Sequence, residues 1–109
     1  MIFAEVGLNH NGNISYAKQY ISFHKKIKFD VLTFQIREPK FYKRDEKKHL
    51  ELPRNFYDFF SKTYKKFKNL NSGISLSSIE TFEKIKKFKF NYYKILSIAA
   101  KDGKLINKI

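Results

Sequence analysis

Apolar and polar positions recur along this chain with two periods, and the switches between them outline its elements. Ile2-Phe3-Ala4-Glu5-Val6 alternates and predicts a short strand. Ile14, Ala17, Ile21 and His24 are spaced by three and four, which predicts a helix from about Ser15 to Lys26. "FDVLTFQI", residues 29–36, is dense in β-branched and aromatic side chains and reads as a second strand. Phe56, Phe59, Phe60, Thr63, Tyr64 and Phe67 mark an amphipathic helix with Pro53 near its first turn. "SGISLS", residues 72–77, is expected to form a third strand. Ser77 and Glu80 then have the spacing of a capping box, opening a helix that carries Phe82, Ile85 and Phe88. "NYYKILS", residues 91–97, is a fourth strand, and "GKLINKI", 103–109, can begin a helix. Between Arg37 and Leu52 the chain is charged and aperiodic, bracketed by Pro39 and Pro53, and predicts a long loop.

The order β-α-β-α-β-α-β-(α) predicts parallel strands joined by helical crossovers, in one domain spanning residues 1–109. Side chains alternate on a strand, so Phe3 and Glu5 share a face, as do Val31, Thr33 and Gln35, then Gly73 and Ser75, then Tyr92 and Lys94. On each strand the polar member lies toward the C-terminal end. Those positions point inward near the mouth of a (β/α) barrel. A doubly wound sheet also gathers ligand groups at strand ends, so periodicity leaves both architectures open.

Composition narrows the class. Apolar residues make up 42% and aromatics 17%, which argues against disorder. With no cysteine, neither a disulfide framework nor a thiolate zinc site can form. No secretory leader pattern and no long apolar run is present, so a soluble cytoplasmic protein without a membrane partner is expected. The net charge of +13 invites a basic nucleic-acid-binding module, since clustered cations neutralise phosphates. Yet only three of the 23 basic residues are Arg, the side chain suited to bidentate phosphate or guanine recognition. The lysines fall mostly on the polar faces of the predicted helices, which favours a solvated surface over a nucleic-acid partner.

Four stretches carry a family resemblance. "AEVGLNHNGN" resembles the opening strand and loop of the sialic acid synthase family, which includes the legionaminate and pseudaminate synthases. "DVLTFQ", "GISLSS" and "YYKILS" resemble, in the family's order, its next three barrel strands. The resemblance implies the N-terminal half, β1-α1-β2-α2-β3-α3-β4, of an aldolase-type TIM (β/α)8 barrel. It implies an enzyme that condenses phosphoenolpyruvate with an N-acetylated amino sugar, giving a nine-carbon 2-keto acid and phosphate. It also implies a divalent metal, Mn or Mg, in the intact enzyme, whose ligands are not in this chain.

Carried over by motif position, the resemblance makes Glu5 the catalytic candidate, placed near the reacting carbons to orient hydroxyls or move a proton. Gln35, Ser75, Lys94 and Ser97 would line the phosphoenolpyruvate site, with Lys94 as its cation and the others as hydrogen-bond donors. Thr33 stands where the family has a lysine, which removes one positive charge from that site. Asn9 and His10 would shape the first loop and touch substrate. His24, on an apolar helix face, reads as a packed core histidine.

An eight-stranded barrel needs about 250 residues. Four predicted strands are therefore expected to be inactive alone and to self-associate or be completed by another chain. A non-catalytic remnant of the family is the second expectation, and a nucleic-acid module the third.

Overall fold

In a computed structural model, which describes residues 1–97 and 103–108, the chain is α/β with one four-stranded sheet. The strands are β1 (Phe3–Gly7), β2 (Val31–Ile36), β3 (Asn71–Leu76) and β4 (Tyr92–Ile95), parallel throughout and in spatial order β1-β2-β3-β4. The helices are α1 (Ile14–Ile27), α2 (Pro39–Tyr42), α3 (Arg54–Lys65), α4 (Ile79–Ile85) and α5 (Gly103–Lys108). The expected alternation of strand and helix is therefore present. Ile109, the end of the predicted terminal helix, lies outside the described residues.

One side of the sheet holds the core. Leu32, Phe34 and Ile36 on β2 and Ile74 and Leu76 on β3 are buried there, against Ala17 and Ile21 of α1, Phe56 and Phe60 of α3, and Phe82 and Ile85 of α4. Phe34 meets Phe56 and Phe60 edge-on, with ring centroids 5.0 and 4.9 Å apart, a favoured aromatic geometry. The expected solvated lysines (Lys25, Lys26, Lys62, Lys65, Lys66, Lys84, Lys86 and Lys87) are all exposed.

Two expectations change. The helix after β3 is capped by Ser78, not Ser77: the Ser78 side chain accepts from the Thr81 amide, so the spacing of Ser77 and Glu80 is one residue out of phase. The segment 37–52 is not one irregular loop. It contains α2 and a 3-10 turn at Lys48–Leu50, and it buries Phe41, Tyr42, Leu50 and Leu52 in the core.

The sheet is strongly curved. Neighbouring strands lie about 4.8 Å apart, so β1 and β4 would be about 14 Å apart in a flat sheet, with side chains standing perpendicular to it. Here Lys94 of β4 donates to Glu5 of β1 over 2.5 Å, and the rings of Phe3 and Tyr92 meet edge-on at 5.4 Å. The two edge strands thus join hands over the concave face.

Candidate functional site

The concave face takes its side chains from alternate positions of each strand. Register aligns Glu5 with Thr33, Thr33 with Gly73, and Gly73 with Tyr92; one pleat on, Gln35 aligns with Ser75 and Ser75 with Lys94. The face sharing expected from strand parity is therefore realised. Phe3, Glu5, Thr33, Gly73, Tyr92 and Lys94 line a cavity of about 370 Å³.

Small residues form its floor because space there is short. A Cβ on Gly73 would sit 2.9 Å from Thr33 Oγ1 and 3.2 Å from Val31 Cγ1, so glycine lets the strands curve without a clash. Thr33 is buried on this floor and Ser75 is buried one pleat on along the same face, whereas the side chains of Glu5 and Lys94 are 45% and 56% exposed. Their ion pair is thus wet, and exposed pairs contribute less than about 1 kcal/mol to stability. Such a weakly held lysine can exchange its carboxylate for an incoming anion.

The other candidates lie around this centre. Gln35 is half-buried on the same face, and Ser97 is exposed just beyond β4. Asn9 is exposed in the turn after β1, where its amide donates to the Val6 carbonyl over 3.1 Å. His10 is set apart: it is fully buried, 6.2 Å between ring centroids from the core ring of Phe34. Its Nδ1 accepts from the Gly12 amide over 2.8 Å, which puts the proton on Nε2, and that N–H has no partner among the described residues. Burial alone pushes the His10 pKa down, so the ring is neutral at pH 7.

The loop bearing His10 is pinned from outside. Gly12 has φ of 71°, and a Cβ there would fall 1.7 Å from the His49 carbonyl oxygen. No other residue type fits without moving the segment 43–51. Periodicity could not signal this contact, because it joins two aperiodic stretches.

His24 is the core histidine expected from its helix face. Its Nε2 donates to the Phe29 carbonyl and its Nδ1 accepts from the Tyr64 hydroxyl, both at 2.6 Å, tying α1 to α3 and to the start of β2. Burial lowers its pKa, partly opposed by the bond to Phe29 and the charge of Asp30.

Among the described residues, no three of His, Cys, Asp and Glu come together as a metal site. The described residues therefore offer no ligand cluster for the metal that the family resemblance implies, and no chemistry is assigned to one here. No described helix is long and apolar enough to cross a membrane. No family model, curated protein or solved structure matches the chain.

Proposed function

We propose that this chain is a sialic-acid-synthase-like half-barrel whose concave face is the phosphoenolpyruvate end of a sugar-condensing site. One observation carries the reading. The four stretches that resemble the family's motifs fall on the four parallel strands in order, and their polar members Glu5, Thr33, Gln35, Ser75 and Lys94 share one face. In this reading Lys94 releases Glu5 and takes the carboxylate or phosphate of phosphoenolpyruvate, a charge-assisted contact. Thr33 donates to the same anion from the floor, and Ser75 from the next pleat of the same face. Glu5, freed of its partner, accepts hydrogen bonds from the sugar's hydroxyls or holds a proton during the condensation.

The same geometry also favours a second reading, a non-catalytic remnant. Among the described residues Lys94 is the sole cation lining the cavity, and it is already paired with Glu5. Calorimetry with phosphoenolpyruvate separates the two. Binding that weakens roughly tenfold or more in Lys94→Ala, the loss of about 1.5–3 kcal/mol expected for one charge-assisted bond, supports the synthase-like site. Thr33→Lys is expected to strengthen binding by a similar factor. No binding by the native chain or by Thr33→Lys defeats the synthase-like reading and leaves the remnant.

A further inference from the structure

Both edges of the sheet are open among the described residues, and they match one another. On the concave face β1 presents Phe3 and Glu5, while β4 presents Tyr92 and Lys94. One edge thus offers an aromatic and an acid, the other an aromatic and a base. Within one chain these pairs already meet across the interior, at 5.4 Å between rings and 2.5 Å between charges. An interior that side chains from opposite walls just fill is that of an eight-stranded barrel, and four strands are half its circumference.

The helix layer carries a second, independent sign. Besides its core stripe of Ala17, Ile21 and His24, α1 has another at Tyr16, Tyr20, Phe23 and Ile27, spaced by four, three and four. Tyr16, Phe23 and Ile27 are 50%, 54% and 57% exposed. Between this stripe and β1 runs a groove of about 510 Å³. At the opposite end of the sheet α5 follows β4 and leaves Ile106 49% exposed. In a (β/α) barrel the helix layer rings the strands, so a helix that follows β4 covers the junction with the next strand.

We propose that a second copy of this chain closes the sheet, through a two-fold axis along the strand direction, into an eight-stranded parallel barrel. Such an axis keeps every strand parallel and sets β4 of each protomer beside β1 of the other. It seats each α5 at the partner's α1 groove. Each Lys94 then lies between its own Glu5 across the cavity and the partner's Glu5 on the neighbouring strand. The result is a ring of two acids and two bases that completes the cavity. Closure does not depend on what the cavity binds.

Sedimentation of the full chain at micromolar concentrations is expected to show a dimer and nothing larger, because a closed sheet leaves no edge to extend. Glu5→Lys and Lys94→Glu each place like charges at both junctions and are expected to weaken dimerisation roughly tenfold or more. An equimolar mixture of the two variants then forms a heterodimer, since each junction again pairs Lys with Glu while each chain's own pair stays like-charged. Circular dichroism melts establish that both variants are folded. Hydrogen exchange on the native chain needs no variant, and the amides of β1 and β4 are expected to gain protection together as concentration rises through the dimer range. A monomer at all concentrations, a ladder of larger oligomers, edge amides that stay unprotected, or no heterodimer from two folded variants would each overturn the proposal.

Discussion

On the helix side of β2, Phe34 is sealed among the rings of Phe56 and Phe60. On the other side of the same strand, Thr33 looks into a cavity whose lid is a solvated ion pair. The two sides divide the work of the fold. Buried apolar area contributes about 25 cal/mol per Å², so cohesion comes mainly from the helix side, with its stacked Phe, Leu and Ile. The concave side contributes little to cohesion. Its small and polar residues are therefore free to be chosen for what enters the cavity.

The sharpest way to break this contrast is Phe60→Ala. Phe60 is fully buried and its ring meets those of Phe34, Phe56, Tyr64 and Phe90. A loss of about 3–5 kcal/mol is expected in chemical denaturation, a large part of what a small domain possesses. A loss under about 1 kcal/mol would mean that this side is loosely packed, since surface-like values belong to unconstrained positions.

On the concave side the most sensitive position is the glycine of the floor. Gly73→Ala is expected to cost about 1–3 kcal/mol through overpacking against Thr33. The double variant with Thr33→Ala removes the nearest clashing atom, so the cost of Gly73→Ala falls in that background. Equal costs in both backgrounds would locate the strain elsewhere.

Acid titrates the helix side. His10 and His24 are held neutral by burial, with folded pKa values below the unfolded value of about 6.5. Their contribution is fully present above the unfolded pKa. It is lost as pH falls from there toward the folded values, because the unfolded chain binds protons that the folded chain refuses. The slope is at most about 1.4 kcal/mol per pH unit for each histidine. In denaturation series across this window, His24→Gln is expected to show a shallower slope than the native chain.

The smallest effect is expected at the lid. Lys94→Met should change the stability of the chain by less than about 1 kcal/mol, since both side chains of the pair are about half exposed. A larger loss would transfer part of the cohesion to the concave face and erase the contrast.

Most of the fold was legible because α1, α3 and the strands have clean periods. Strand parity likewise gathered Glu5, Thr33, Gln35, Ser75 and Lys94 on one face before any coordinate. What parity could not convey is curvature: that the first and last strands touch is a property of the whole sheet. The anchors at Phe41, Tyr42, Leu50 and Leu52 were hidden for a related reason. Their spacing of one, eight and two has no period, and the charges between them dominate the segment. The capping serine is ambiguous in the sequence because Ser77 and Ser78 are adjacent, and only backbone direction decides which one caps the helix. His10 follows a strand, as ligand residues do, yet its ring is buried beside Phe34.

The bridge between Glu5 and Lys94 joins residues 89 positions apart. Contacts of such long range form late, after the neighbouring strands have paired, because the loop they close carries the largest entropic cost. The lid is therefore a structure of the final descent, absent from the transition state. Substitutions at either residue are expected to quicken unfolding and leave refolding rates alone, as stopped-flow chevrons would record. An anion held by Lys94 would act on the same barrier, lengthening the lifetime of the folded chain without speeding its formation.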